Sequence, residues 1–253
     1  MISLTEVTLR DGITLLAPGG AYVRDTRTLI VADTHAGTTL ELRARGHAVP
    51  MGDDSLLASR IEQLTGACDP AEIVIAGDAI HGPGSLRTVG TQESPLLQII
   101  ASHPTRTFFV VLGNHDRSLA NTLDRRGVLH GNSHLVGPHW VTHGDDVPET
   151  LALRAEALRA GGRVIVGHIH PALRLDDGEG ASAICPAFVT ARGLLCMPAL
   201  SPWARGGDVR SKSVYAQLAA LASGDPMGVA VIVGPRVMVV GDVFSPNSLK
   251  KRA

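Results

Sequence analysis

The sequence has 253 residues, a formal net charge of −1 at pH 7, and a composition that is 44% hydrophobic but only 3% aromatic. This length is enough for one large α/β domain whose core needs no disulfide bonds. The balanced charge excludes a general electrostatic attraction to nucleic acid, so any basic surface must be local.

The cellular compartment is predicted from the cysteines and from the lack of membrane signals. The three cysteines, Cys68, Cys185 and Cys196, are odd in number and lack metal-site spacing, which predicts reduced, buried thiols. No apolar segment is long enough to span a membrane, and the first residues lack the basic and apolar regions of a signal peptide. We therefore expect a cytoplasmic protein.

Short apolar runs bounded by turn residues predict a series of strands. Residues 1–24 alternate such runs with turns, and further strands are predicted at 28–32, 73–76, 108–112, 163–166 and in the segment after 171. Residues 135–142 are predicted to be extended. Residues 229–233 and 237–243 are predicted to pair as a hairpin around Gly234-Pro235.

Helical patterns alternate with these strands. They cover 38–45, a segment from 53 or 54 to 64, a helix starting at Ser94-Pro95, 118–125, 149–160 and 214–222. Residues 82–93 are predicted to form a loop near the site, and Leu151, Leu158 and the intervening alanines to form the apolar side of the fifth helix. The order of elements predicts an α/β (α+β) layered domain over residues 1–244, followed by a solvated tail at 245–253.

Five stretches end an apolar run with residues that can bind metal ions. They are Asp33-Thr34-His35, Gly77-Asp78, Gly113-Asn114-His115-Asp116, His143-Gly144-Asp145 and Gly167-His168-Ile169-His170. Ligands of open α/β sheets sit at the carboxyl ends of strands, where these side chains are expected to meet. Carboxylates and imidazoles suit Mn, Fe or Zn, and the number of ligands is too high for one ion and suits two. Taken singly, each residue fits a helix cap, a turn or a core histidine equally well.

The five blocks, in this order, resemble the calcineurin-like metallophosphoesterase superfamily. The resemblance runs from Asp33 to His170, over half of the chain. Residues 42–50, and Met197 to Pro202 followed by Gly206-Gly207, resemble a bacterial and archaeal branch that includes ligase-associated DNA damage response endonucleases. The resemblance implies a four-layer sandwich of two mixed β-sheets flanked by helices.

The same resemblance implies a binuclear metal centre. Asp33, His35 and His170 would hold the first ion, whereas Asn114, His143 and His168 would hold the second. Asp78 would bridge the two ions, which agrees with the need for an anionic group with two oxygens at that position. The expected ions are two divalent metals, Mn first, with Fe, Zn, Ni and Mg as alternatives. A hydroxide shared by the ions would attack the phosphorus.

Other residues near the blocks are candidates for catalysis or substrate binding. In the superfamily the histidine corresponding to His115 faces the phosphate, where it would stabilise charge or protonate the leaving oxygen. Asp116 is assigned with it as an orienting residue, with a helix cap as the alternative. His81, Arg43 and Arg117 are weaker candidates for substrate contacts, since His81 also fits a supporting or surface position and the arginines fit solvated helix faces. The histidines outside the blocks, among them His103 and His139, are expected at the surface.

Three functions are compatible with this pattern. The leading hypothesis is hydrolysis of phosphodiesters, with DNA or RNA as substrate and a role in DNA repair beside a ligase or helicase; a homodimer is left open. The residues after Asp78 lack the Asp and Arg of protein phosphatases, which disfavours that activity. The alternatives are a small-molecule phosphatase or cyclic-nucleotide phosphodiesterase, and an inactive scaffold, which the presence of His115 disfavours. The low aromatic content weakens the nuclease hypothesis because single-strand binders stack bases on aromatic rings.

Overall fold

A computed structural model describes residues 6–49, 54–86, 93–116, 118–240 and 243–244. Within these residues the chain forms two mixed β-sheets and six α-helices, which confirms the predicted α/β class. The predicted tail at 245–253 lies outside the described residues, and the division at residue 244 stays a prediction.

The first sheet has its seven described strands side by side in chain order. They are β1 (Val7–Thr8), β2 (Ile13–Leu16), β3 (Gly20–Val23), β4 (Thr28–Val31), β5 (Glu72–Ala76), β6 (Thr107–Val111) and β7 (Leu129–Gly131). Strands β1 to β4 pair antiparallel, whereas β4 to β7 pair parallel. The carboxyl ends of β4, β5 and β6 therefore lie at one edge.

The second sheet has the order β14-β11-β12-β13-β10-β9-β8, with β15 pairing with β12 and β16 with β15. Its strands are β8 (Ser133–Val136), β9 (His139–Thr142), β10 (Val164–Val166), β11 (Pro171–Asp176), β12 (Ser182–Ala191), β13 (Leu194–Cys196), β14 (Gly207–Asp208), β15 (Gly228–Val233) and β16 (Arg236–Val240). Strands β9, β10 and β13 are parallel, so that their carboxyl ends also share an edge.

The helices are α1 (Thr38–Ala44), α2 (Ser55–Cys68), α3 (Pro95–Ala101), α4 (Ala120–Arg126), α5 (Val147–Arg159) and α6 (Lys212–Ala222), with a 3₁₀ turn at Pro83–Leu86. Local sequence explains several boundaries. The Asp146 side chain accepts a hydrogen bond from the Glu149 N–H at 2.9 Å and so caps the start of α5. Helix α4 ends at Gly127, which adopts a φ of 65°.

Alternating side chains of the central strands build separate hydrophobic cores on the two faces of each sheet. In β5, Val74 and Ala76 pack between the two sheets, whereas Ile73 and Ile75 pack against the helices. The helix side of the first sheet is covered by α2, α3 and α4, and that of the second sheet by α6 together with part of α5. The four-layer sandwich implied by the sequence resemblance is therefore confirmed.

Several local expectations were wrong or only partly right. Residues 135–142 belong to two strands, β8 and β9, because Gly137 turns the chain with a φ of 57°. Helix α5 buries Thr150, Arg154 and Ala157, whereas Leu158 is exposed.

His103 and His139, which were expected at the surface, are buried. The residues after 82 form a 3₁₀ turn as far as Leu86, whereas 87–92, also predicted as loop, lie outside the described residues.

Two predictions about membrane and redox state are addressed by the described residues. None of the described helices combines the length and the apolar character needed to cross a membrane. All three cysteines are free, with Cys196 buried and the other two half-buried.

Candidate metal centre

The polar blocks of the two sheets meet where their parallel strands end. After β4, the Asp33 N–H donates to the Gly77 carbonyl, which follows β5, at 3.1 Å. In the second sheet, the Gly167 N–H after β10 donates to the His143 carbonyl after β9 at 3.0 Å. The two sheets are joined by the His168 N–H, which lies 3.1 and 3.0 Å from the two Asp33 carboxylate oxygens. The predicted convergence of the blocks is thus present in the structure.

Many of the candidate ligands have a left-handed backbone. Of the eight non-glycine residues with positive φ in the described chain, five are candidate ligands: Asp33 (50°), His35 (42°), Asp78 (46°), His168 (64°) and His170 (49°). This conformation is uncommon for residues with a side chain, although Asp and His tolerate it better than most. Unfavourable backbone conformations cluster at functional sites because the surrounding structure holds them in place.

Three groups of possible ligand atoms occur among the described residues; one consists of His35, His81 and His115, and the other two agree with the two predicted ions. Asp33, His35 and His170 have ligand atoms within 4.8 Å of one another. A second such group consists of Asp78, His143 and His168. Asn114 adjoins the second group, since its Oδ1 lies 3.0 Å from His143 Nε2. All seven predicted ligands therefore lie in one cluster.

Asp78 belongs to the second group and also contacts His115. Its Oδ1 lies 3.5 Å from His143 Nε2 in the second group and accepts a hydrogen bond from the His115 N–H at 3.0 Å. Its other oxygen lies 4.0 Å from His115 Nε2. The Asp78 carboxylate offers two anionic oxygens, which is what a ligand shared by two cations would need.

The glycines of the blocks make room for the ligands of other blocks. A Cβ on Gly77 would come within 2.0 Å of His143 Nδ1, and a Cβ on Gly113 within 2.4 Å of Asp78 Oδ1. A Cβ on Gly167 would likewise come within 2.6 Å of Asp33 Oδ2. Each glycine is therefore needed for close approach to a ligand that is distant in sequence.

The residues fit divalent metal ions. His35 Nδ1 is buried and makes no hydrogen bond in the described structure, which is unfavourable unless a ligand supplies the missing interaction. Burial lowers the pKa of His35 to about 4, although the Asp33 and Asp78 carboxylates act in the opposite direction. Burial also lowers the pKa of His168. These imidazoles are therefore neutral near pH 7, the form that binds metals.

His170 differs from the other two histidines in its electrostatic surroundings. Burial alone would lower its pKa, but the Asp33 and Asp78 carboxylates outweigh burial and raise it. Its Nε2 lies 3.3 Å from Asp33 Oδ1. A cation in the first group would replace the proton that these carboxylates attract.

His115 and His81 lie together beside the ligand groups. Their rings are stacked with centroids 5.4 Å apart, and both rings are 5.4 Å from that of His35. The Nδ1 of His115 is 2.7 Å from the His81 carbonyl oxygen. Because a carbonyl only accepts, Nδ1 must carry a proton, and the ring presents Nε2 toward Asp78. Of the alternatives left open for His81, the structure favours a position in the site.

Asp116 lies beneath the pocket rather than in it. Its side chain is 0% exposed and accepts hydrogen bonds from the N–H groups of Ala79 and Ile80, both at 3.1 Å, and of Gly113 at 2.9 Å. Burial raises its pKa to about 6, although these donors favour the charged form. It does not cap α4, whose N-cap residue is Leu119. These contacts favour a positioning role for Asp116 over direct catalysis, since it joins the loops after β5 and β6.

The two candidate arginines receive no support as substrate contacts. Arg43 is exposed on α1 and does not line the pocket, which agrees with the solvated alternative. Arg117 lies outside the described residues.

A pocket of about 300 Å³ opens over the cluster. Its lining contains residues that were not identified from the sequence: Thr38, Ser201, Trp203 and Ala204. The last three belong to the segment that follows β13, and the Ser201 N–H donates to the Asp33 carbonyl at 3.2 Å. The sequence signal for this segment was its resemblance to one branch of the superfamily. That resemblance did not predict where the segment lies relative to the metal site.

Comparisons with known proteins agree with this geometry. Residues 26–177, more than half of the chain, match the family described as calcineurin-like phosphoesterase. The chain is similar in structure to the nuclease MPE of Pseudomonas putida, with a TM-score of 0.61, 19% identity, and coverage of 94% of this chain and 100% of the other.

A protein of unknown function from Aquifex aeolicus aligns with a TM-score of 0.36 and 14% identity over 56% of this chain and 78% of its own. The comparison with curated proteins gives no match.

Proposed function

Because this chain belongs to the calcineurin-like phosphoesterase family and is a metal-dependent phosphoesterase, we propose that its substrates are phosphodiesters, and nucleic acid in particular. The observation that carries this proposal is the make-up of the pocket. Its described lining consists of histidines, Asp78, Asn114 and small or apolar residues, without lysine or arginine. A phosphomonoester dianion would need cationic side chains beyond the metals, whereas a diester carries one negative charge fewer.

We assign the metal ligands as the sequence predicted them. Asp33, His35 and His170 would hold one ion, Asn114, His143 and His168 the other, with Asp78 shared. Two bound divalent ions would polarise the phosphoester and lower the pKa of a coordinated water. We propose Mn as the native metal, and the mixed oxygen and imidazole ligands are also compatible with the alternatives Fe and Zn.

His115 is the residue that we assign to proton transfer. The His81 carbonyl fixes the ring by accepting from Nδ1, so that only Nε2 is free to exchange a proton with substrate. The side chain lines the pocket and is partly exposed, which gives a leaving oxygen access to it. A protonated imidazole here would donate to that oxygen as the ester bond breaks.

Two further observations bear on the natural substrate and its context. The Pseudomonas putida protein with this fold is a nuclease, which supports nucleic acid among the possible diesters. The free thiols agree with a reducing cytoplasm. The role in DNA repair, the functional partners and a homodimer stay predictions from the branch resemblance.

The test compares two chromogenic substrates. With Mn we expect bis(p-nitrophenyl) phosphate to be cleaved with a higher kcat/KM than p-nitrophenyl phosphate, and chelator to abolish both activities. Unlabelled single-stranded and duplex DNA and RNA are tested in the same buffer. A preference for the monoester without cleavage of any polynucleotide would contradict the proposal and favour a small-molecule phosphatase.

A further inference from the structure

A second cavity adjoins the metal pocket. It measures about 490 Å³ and shares Ser201 and Ala204 with the lining of that pocket. The two spaces are therefore adjacent on the surface. We refer to the second space as the arginine groove, since its described lining contains Arg60, Arg174 and Arg205 and no carboxylate.

The arginines of this groove are available to an anionic ligand. Arg205 is exposed and Arg174 is half-buried, and neither forms an ion pair with a carboxylate in the described part of the chain. Arg174 Nη1 is 3.3 Å from Ser182 Oγ, a contact that leaves its charge uncompensated. Arg60 instead supports the groove, because its Nη1 donates to the Leu200 carbonyl at 2.5 Å. In a chain of net charge −1, this concentration of positive charge is local.

An exposed aromatic side chain lies where the groove meets the metal pocket. Trp203 lines the metal pocket and is 52% exposed, although the chain has only two tryptophans. Its backbone N–H is 3.2 Å from Ser201 Oγ, and the Ser201 N–H donates in turn to the Asp33 carbonyl. The ring is thus carried by a segment that is hydrogen-bonded to a metal-ligand block.

Apolar residues complete the groove. Ile184, Pro186 and Pro202 lie in the same lining, and Ile184 is exposed. A small inorganic anion would use the arginines alone. A polymer that alternates charged phosphates with flat, apolar bases would use both kinds of surface.

We propose that the arginine groove and Trp203 bind a single strand of nucleic acid that extends from the metal centre. A base stacks on Trp203, and the phosphates beyond it lie against Arg174 and Arg205. Stacking on a protein ring needs a base face that is free of its neighbours, which a single strand offers more readily than a duplex. This inference rests on the proposed phosphodiesterase function and identifies its substrate class.

The direct test is binding of fluorescein-labelled dT12 and rU12, followed by anisotropy at several salt concentrations. The protein carries Mn and His115→Ala, which limits cleavage during the measurement. Arg174→Ala combined with Arg205→Ala should reduce the slope of log affinity against log salt by about 1.4, since each phosphate contact on a single strand contributes about 0.7. Arg159→Ala, an exposed arginine of α5 outside the groove, removes an equal charge and should leave the slope unchanged.

Trp203→Ala should weaken binding roughly 5- to 100-fold, the loss expected from one stacked base. Trp203→Phe should recover most of this loss, since it restores a ring. The two probes also distinguish DNA from RNA as the strand. Salt slopes equal to that of Arg159→Ala, or unchanged binding of both probes by Trp203→Ala, would overturn the proposal.

Cleavage assays separate this proposal from the proposed function. For the arginine variants, kcat/KM for the oligonucleotide is divided by kcat/KM for bis(p-nitrophenyl) phosphate. This ratio should fall at least about tenfold, as expected for lost substrate contacts. An equal loss on both substrates would show that the arginines support the metal centre, and would overturn the groove assignment. Arg205→Ala alone is tested as well, because a substitution at this exposed position is not expected to impair folding. If the wild-type protein cleaves no diester, the proposed function fails, whereas the binding data still test the groove.

Discussion

The two ring nitrogens of His115 have different surroundings, and this difference defines a test of its role. Nδ1 is 2.7 Å from the His81 carbonyl, whereas Nε2 faces Asp78 and the pocket. We predict that His115→Ala retains its metals and loses about 10²- to 10⁴-fold in turnover, the usual contribution of a positioned acid. Elemental analysis and kinetics with bis(p-nitrophenyl) phosphate measure the two effects.

Substrates with different leaving groups refine the role of His115. If it donates a proton, the loss should be greatest on esters whose leaving oxygen is a poor leaving group. Near-normal rates on such an ester would contradict the assignment, whereas an equal loss on all esters would favour charge stabilisation.

The bridging role that we propose for Asp78 predicts that it affects both metal ions. Asp78→Asn replaces one oxygen with an amide nitrogen that cannot bind a cation. The affinity for both ions should therefore fall. His170→Ala removes a ligand from the first group only and should chiefly reduce that ion. Elemental analysis after Mn reconstitution checks the two variants, with two ions per chain expected for the wild type. Full metal content in Asp78→Asn would exclude a bridging carboxylate.

At the level of elements, α5 is held in place by a buried arginine. Arg154 donates from Nε to the Arg192 carbonyl at 2.9 Å and forms an ion pair with Asp225, which follows α6. We predict that Arg154→Ala lowers the free energy of unfolding by about 2–3 kcal/mol, since it leaves polar groups without partners. Arg159→Ala, exposed on the same helix, should change it by less than about 0.5 kcal/mol. Urea denaturation measures both, and equal effects would contradict this role for Arg154.

The sequence predicted strands better than it predicted which faces are buried. The run from Phe108 to Leu112 identified β6 because strands buried on both faces are continuously apolar. The buried face of helix α5 differs from the predicted one, since Leu158 is exposed and Arg154 is buried. Long-range partners, the Arg192 carbonyl and Asp225, decided which face turned inward. Such partners leave no periodic signal.

At the level of the whole molecule, buried histidines couple folding to pH. His139 is 1% exposed, and its Nδ1 accepts from the Arg163 N–H at 3.3 Å. Burial lowers its pKa below the ordinary value of 6.5, although Asp11 acts in the opposite direction. The unfolded chain therefore takes up a proton below about pH 6.5 that the folded chain does not bind. The contribution of His139 to the free energy of unfolding is therefore fully present above about pH 6.5, and it falls as the pH decreases below that value.

Melting temperatures of the metal-free protein test this dependence. They should fall between about pH 7.5 and about pH 5, and the fall should be smaller in His139→Asn, whose amide oxygen can still accept from Arg163. An identical pH profile in the variant would mean that His139 contributes nothing to the acid sensitivity.

The candidate metal centre could be predicted from the sequence, whereas the arginine groove beside it could not. The seven candidate ligands could be found because the five blocks that contain them each directly follow a strand, so local sequence carried the signal. The arginine groove could not, because Arg60 lies on α2, Arg174 on β11 and Arg205 in the segment after β13. Only the packing of the two sheets brings these distant side chains together. No local sequence pattern predicts the position of Trp203 either. Its position follows from the hydrogen bond between the Ser201 N–H and the Asp33 carbonyl.

The left-handed backbone of five candidate ligands has an evolutionary consequence. Each such residue is less stable than glycine would be in the same place, by about 1–2 kcal/mol. Selection for catalysis therefore holds aspartate and histidine where the fold by itself would favour glycine. In a lineage freed from that selection, glycines at positions 33, 35, 78, 168 and 170 would accumulate. Its members would lose the metals and become more stable.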